Sequence, residues 1–201
     1  MNQAFQRPMV ERVGRYRWII AFVLQISLFV GFMDRINITY AIPQITEHFG
    51  WPEERVGFYR GMLLSSFIIA YGLSNAFLSG FAEKLGPRRS LMLVVVAFSL
   101  FTMLGAPLSF SFVLFVAARV ALGLGEGVHF PMMSMATKFW FPMHERSRAN
   151  AIWVFGGSLA AILTPAIVVP IVDHFGFRVM LVSTGALSLV ITLPLIYFLL
   201  H

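Results

Sequence analysis

The sequence predicts an all-α, polytopic membrane protein of six transmembrane helices arranged as two inverted three-helix repeats. Hydrophobic residues make up 58% of the 201-residue chain and charged residues only 12%, against roughly 45–50% and about 25% in soluble domains. The mean hydropathy is +0.80. The apolar residues fall into six runs, each of the order of the 20 residues that a helix needs to cross a hydrocarbon core. The repeat rests on a third observation. The charges that interrupt apolar runs, Asp34, Arg35, Arg119 and Glu126, lie only in the first and fourth runs, the internal symmetry expected when spans 1 and 4 line one cavity.

The same composition excludes several classes. A soluble or disordered chain would be far more polar. With no cysteine, neither a disulfide framework nor a thiolate metal site is available, and the histidines show no metal spacing. The pI near 10.3 does not indicate a nucleic-acid partner, because the basic residues sit between apolar runs rather than in one patch. No cofactor motif is present. The triplet Gly123-x-Gly125-x-Gly127 echoes a dinucleotide loop, but that fingerprint needs a strand before it and a helix after it in a soluble α/β unit.

In chain order, residues 1–17 form a polar tail with Arg7, Arg12, Arg15 and Arg17. It lacks the short apolar core and cleavage site of a signal peptide, so it is expected to stay as a cytoplasmic segment. Span 1 covers about 18–45 and contains Asp34-Arg35. A turn-rich, acidic loop follows, with Pro52 placed to open the next helix. Span 2 is about 61–82, and Glu83-Lys-Leu-Gly-Pro-Arg-Arg89 leads into span 3, about 91–106. Pro107-Leu-Ser109 turns into span 4, about 110–137, and the loop Lys138 to Arg148 precedes span 5, about 149–172. Asp173 to Arg178 makes the last turn before span 6, about 179–200.

Lys and Arg set the orientation. Ten lie in the tail, the 2–3 loop and the 4–5 loop, and only Arg55, Arg60 and Arg178 on the other side. Both termini are therefore expected in the cytoplasm, in a multi-pass protein of the plasma (bacterial inner) membrane.

Within span 4, a 100° step places Arg119, Gly123, Glu126 and Phe130 on one stripe. Arg119 and Glu126 are separated by about 10.5 Å of helix rise. Because helical side chains lean toward the N-terminus, Glu126 finds a partner either in Arg119 or on span 1. Ionised groups at this depth cost about 2.5–3.5 kcal/mol or more and mark a pathway by default. Against that stands an interhelical ion pair that only fixes packing. Gly123 and Gly127, four apart, read as a close helix–helix contact. The carbonyl that Pro131 leaves free must be satisfied internally. Asp34 and Arg35, being adjacent, point about 100° apart, so they address different partners. Tyr71 and Asn75, four apart on span 2, reach toward the same cavity, as does Phe130. His129 reads either as a proton relay for Glu126 or as a packed histidine. Gln44 and Tyr40 read as residues of the outer interface.

These residues resemble a known family. The loop after span 2, with Glu83, Lys84, Gly86 and Arg88, is similar to the Gly-x-x-x-Asp-Arg-x-Gly-Arg-Arg/Lys motif of major facilitator superfamily transporters, with Ser79 and Pro87 as departures. Met33-Asp34-Arg35, Arg119-x3-Gly-x-Gly-Glu126-Gly-x-x-Phe-Pro131 and Trp140-Phe-Pro-x-x-Glu145-Arg146 resemble the anion:cation symporter branch, which includes sugar-acid transporters. The resemblance implies the six-helix N-terminal half of such a carrier. It implies Arg35, with Arg119, as the contact for a substrate carboxylate, and Asp34 and Glu126 as proton-coupling residues. The expected function is proton-coupled symport of a small organic anion by alternating access; partners are the anion, protons and the bilayer. The alternative is a half-transporter that needs a second six-helix half and does not transport alone. Drug–proton antiport fits less well, since span 5 lacks the antiporter Gly-x-x-x-Gly-Pro-x-x-Gly pattern. No nucleophile–base pair or metal constellation suggests an enzyme.

Overall fold

The structure, a computed structural model, describes residues 14–200. Arg7 and Arg12 of the expected tail, and His201, lie outside the described residues. All regular structure among the described residues is helical: α1 (Tyr16–Phe49), α2 (Glu53–Leu85), α3 (Pro87–Leu108), α4 (Phe112–Glu126), α5 (His129–Trp140) and α6 (Arg146–Leu199), with a short 3-10 turn at Met143–Glu145 before α6. The helices outrun the apolar windows at most ends, because polar residues near a terminus keep helical geometry until a breaker intervenes. Gly50 ends α1 at φ 60°, its N–H returning to the Glu47 and Thr46 carbonyls. Pro52 then caps α2, which starts at Glu53 rather than near residue 61. Gly86, at φ 82°, separates α2 from α3, and Pro87 opens the latter.

One expected span is corrected and one boundary is sharpened. The fourth apolar run is not one helix. It breaks between Glu126 and His129, and α4 and α5 together form one long apolar stretch, Phe112–Trp140. The expected turn between the fifth and sixth runs narrows to one residue: Gly176, at φ 84° and ψ 164°, leaves helical geometry between Asp173 and Arg178, and α6 is two helices joined at that kink. By length and composition, five helical stretches among the described residues can cross a membrane, with α6 counted as one across its kink.

Gln44 holds the Gly176 kink. Its Nε2 donates to the Val172 carbonyl at 2.6 Å, and its Oε1 accepts from the Phe177 N–H at 3.0 Å. One amide thus serves backbone groups on both sides of the bend, which an interfacial reading of Gln44 did not foresee. Beside it, Arg178 Nε donates to Ser109 Oγ at 2.8 Å, and the His48 ring meets the Ser109 carbonyl at 2.9 Å. Replacing Gln44 with leucine strands a carbonyl and an N–H, at about 1–3 kcal/mol for each group left unmet. The expected result is a lower thermal unfolding midpoint for the purified protein, with Gln44→Asn, whose amide is shorter, falling between.

The helices pack in a connected set: α1 along α6, α6 against α3, α3 against α4, and α4 along α2. Glycines set the closest approaches. A Cβ at Gly185 of α6 would stand 2.7 Å from the Ser99 carbonyl oxygen of α3, and one at Gly123 of α4 would stand 2.5 Å from the Phe67 carbonyl oxygen of α2. Backbone contact this tight lets van der Waals packing drive association where lipid supplies no hydrophobic force. By contrast, α1 is not packed along α2 or α4. That gap is where the charged side chains meet.

Candidate functional site

The break after Glu126 has a local cause. Proline has no N–H, so Pro131 cannot bond to the Gly127 carbonyl four residues back. Asn75 Nδ2 of α2 donates to that carbonyl instead, at 3.0 Å. Ser74 Oγ donates to the Leu124 carbonyl at 2.7 Å, the group a continuous helix would offer to Val128. Two backbone carbonyls at the break are thus met from α2. Asn75, expected in the cavity lining, has its amide engaged here.

The break leaves Glu126 as the last residue of α4, 1% exposed and facing α1. Arg35 reaches it across the gap: Nη2 donates to Glu126 Oε1 at 2.7 Å. This settles the open choice in favour of a partner on the first helix. The Arg35 guanidinium lies over three rings, Tyr71 at 4.4 Å, Phe32 at 4.8 Å and Phe67 at 5.6 Å from its carbon to each centroid. Cation–π contacts of this kind are worth more once desolvated. Tyr71 therefore belongs to the site as an aromatic wall. Phe32 and Phe67 join it although they were not singled out; the signal available was the i, i+4 spacing of Phe67 and Tyr71 on one helix face.

Arg119 is only 3% exposed, and its guanidinium lies 4.9 Å from the Phe67 centroid. Its Nε is buried with no hydrogen-bond partner, and no carboxylate pairs with it among the described residues. Asp34 points the other way, as adjacency demands. Its Oδ2 accepts from Ser188 Oγ of α6 at 2.8 Å, while Oδ1 has no partner. Asn37, one turn on, donates to Thr184 Oγ1 at 3.1 Å. Arg35, Arg119, Glu126, Tyr71 and Phe67 thus form one cluster, and Asp34 sits behind it against α6. Phe130, also expected in the lining, is 42% exposed and packs edge-on against Trp153 at 4.8 Å.

The loop-motif residues lie away from this cluster, at the α2–α3 turn. Arg88 Nη2 donates to the Tyr197 carbonyl at 2.6 Å and stacks on the same residue's ring, tying the turn to the end of α6. Lys84 Nζ lies 5.4 Å from the Phe81 centroid, and the Glu83 carbonyl accepts the Gly86 N–H at 3.1 Å. At the same end of the bundle, Arg17 pairs with Glu145 at 2.7 Å. Arg146 caps the end of α5 through the Phe141 and Lys138 carbonyls.

A buried guanidinium on an aromatic wall, with a second one already held by a carboxylate, can bind an anion; the residues hold no metal-binding group of three or more acidic or histidine side chains among those described. Comparison with known proteins agrees on the fold. The chain is 30% identical to a probable sulfoacetate transporter of Cupriavidus necator, over 94% of this chain and 43% of that protein. It is 31% identical to the chloroplastic ascorbate transporter of Arabidopsis thaliana, over 86% of this chain and 31% of that one. It thus spans less than half the length of these relatives. A solved proton:xylose symporter bound to 6-bromo-6-deoxy-D-glucose superposes with a TM-score of 0.75 at 19% identity, over 92% of this chain and 45% of that chain. The model of the Major Facilitator Superfamily matches residues 8–201, and the chain is a multi-pass membrane protein belonging to that superfamily.

Proposed function

We propose that this chain forms the N-terminal six-helix half of a carrier that symports a small organic anion, of the sugar-acid kind, with protons by alternating access. The observation that carries the reading is the charge imbalance of the cluster. Two arginines stand beside one carboxylate, Glu126, which pairs with Arg35 and not with Arg119, in a site that buries both Arg119 and Glu126. Guanidinium does not deprotonate in proteins, and a buried charge is held by partners, so an arriving anion supplies what Arg119 lacks. Protonation of Glu126 frees Arg35 for the same anion. Proton and anion then favour each other's binding, as linkage requires. Asp34, held by Ser188 behind the site, serves as a second protonatable group. The names of the relatives, transporters of sulfoacetate and ascorbate, support an anionic substrate.

The six-span count is part of the proposal. Both ends of α6 lie beside the start of α1, Glu145 paired with Arg17 and the Leu199 carbonyl accepting from Tyr16 Oη, so its 54 residues double back at the kink, enough for two crossings of a hydrocarbon core of about 30 Å. The Gly176 bend, next to Asp173, His174 and Arg178, is where we place the turn between spans 5 and 6. Spans 1–3 and 4–6 then form the two inverted repeats. The distribution of Lys and Arg supports cytoplasmic placement of the α2–α3 turn, the α5–α6 connection and both ends of the chain. The cavity wall facing α1, α2 and α4 would come from a second six-helix half; without it, the chain does not transport alone.

Uptake into proteoliposomes by the full-length protein, with sulfoacetate, ascorbate and D-glucuronate as probe anions, tests this. An inward proton gradient is expected to drive accumulation that a protonophore abolishes and that sodium replacement leaves unchanged. Glu126→Gln is expected to lose the gradient dependence while keeping anion counterflow. Gradient-driven uptake that survives Glu126→Gln would show that the coupling role is wrong.

A further inference from the structure

His129 opens α5 immediately beyond the break, 1% exposed, and the mechanism above leaves it unused. Its Nε2 lies 2.9 Å from Ser27 Oγ of α1, and its Nδ1 is buried with no partner. Glu126 shows the same deficit: Oε1 takes the Arg35 bond, and Oε2 is buried with no partner. Both residues converge on one point of α1. A Cβ at Gly31 would stand 3.2 Å from His129 Nδ1 and 3.6 Å from Glu126 Oε1, so the missing side chain is what lets the imidazole and the carboxylate occupy the same gap.

When Ser27 accepts from Nε2–H, Nδ1 is a bare acceptor, and so is the ionised Oε2. In that tautomer neither can satisfy the other while Glu126 is ionised. One added proton removes both deficits. We propose that His129 is a positioning residue that accepts a hydrogen bond, through Nδ1, from the protonated carboxyl of Glu126 when Arg35 turns to the anion. The proton comes from solvent and stays covalently on Oε2, and no proton is transferred to the imidazole. This rests on the reading of Glu126 as the coupling residue. Other charged and titratable groups around the pair are Arg35 and Asp34 on α1, Tyr71 on α2 and Arg119 on α4. The α3 helix contributes the Phe98 ring, 5.8 Å from His129, and α6 carries no charged residue between Arg148 and Asp173 or after Arg178.

The acceptor stabilises only the protonated form of Glu126, so losing it must shift proton binding toward acid. Infrared difference spectra of the purified full-length protein between acidic and alkaline buffer report the buried carboxyl directly, its C=O band assigned by its loss in Glu126→Gln. Glutamine at 129 can keep the Ser27 contact but offers nothing at the Nδ1 position, whereas asparagine places its amide oxygen there. For His129→Gln the band is expected to move to higher frequency. Its titration midpoint should move about one pH unit toward acid, the worth of one buried hydrogen bond. Sulfoacetate uptake should follow the same shift, and His129→Asn should stay near the parent. If His129→Gln does not fold, Ser27→Ala, which releases the tautomer, is expected to give a smaller shift in the same direction. An unchanged midpoint, or a shift toward alkaline pH, overturns the proposal. Persistence of the band and of the pH dependence in Glu126→Gln instead overturns the coupling reading beneath it.

Discussion

Arg35→Gln is expected to lower uptake of the probe anions by roughly 100-fold or more, the scale of losing one partner of a buried ion pair, about 3–5 kcal/mol. Two effects combine. The anion loses its forked donor on the Tyr71, Phe32 and Phe67 wall, and Glu126 loses the cation that meets its only satisfied oxygen. Arg35→Lys keeps the charge but not the planar fork or the ring stacking, and is expected to recover only a small part of the activity. Stability separates the two effects. Arg35→Gln should lower the unfolding midpoint, because one carboxylate is left buried beside a neutral amide. Arg35→Gln with Glu126→Gln should restore much of it, because both partners are then neutral. Neither variant should transport. A double-mutant cycle on the unfolding midpoints reads the coupling between the two residues. Uptake by Arg35→Gln within a few-fold of the parent would remove Arg35 from the substrate site.

The charged residues of this site were legible in the sequence because burying a charge in an apolar run is costly enough to stand out. Asp34, Arg35, Arg119 and Glu126 needed no more than their neighbours to be noticed. Divergence of Asp34 and Arg35 followed from the 100° helical step, and the structure sends one to Ser188 and the other to Glu126. The close contact at Gly123 and Gly127 was legible for the same kind of reason, since small residues four apart mark where backbones can touch. Partner identity was not. Whether Glu126 turned to Arg119 or Arg35 depends on the break at Gly127–Val128, which depends on Ser74 and Asn75 arriving from another helix. Phe32 was missed because in one dimension it is indistinguishable from the many phenylalanines that face lipid; Phe67 carried only its i, i+4 spacing to Tyr71. Gly31 was invisible for a related reason. Its importance lies in what a side chain would have displaced, and that is defined only once α5 is in place. The turn between the fifth and sixth runs was legible from Asp173, His174 and Arg178; that it narrows to the single residue Gly176 was not, because a polar stretch does not by itself set where a helix bends.

The second large effect concerns that break directly. Gly127→Leu is expected to abolish accumulation of folded protein, and Gly127→Ala to reduce it severely. A Cβ at this position would collide with Ser74 Cβ and stand 2.6 Å from both Ser74 Oγ and the Tyr71 carbonyl oxygen. Overpacking typically costs about 1–3 kcal/mol when neighbours can adjust. Here the obstacles are a backbone oxygen and the root of a side chain, so relief requires α4 to move off α2. That movement would also pull Ser74 from the Leu124 carbonyl and Asn75 from the Gly127 carbonyl, leaving both carbonyls unmet inside the bundle. It would further displace Glu126, one residue away, from Arg35. Gly72→Ala on α2 provides the control, because a Cβ there meets nothing within 4 Å. Size-exclusion profiles of fluorescent-protein fusions in detergent compare the variants. A monodisperse peak from Gly127→Leu at the height of Gly72→Ala would show that the α2–α4 contact tolerates expansion, and that the break does not depend on backbone proximity.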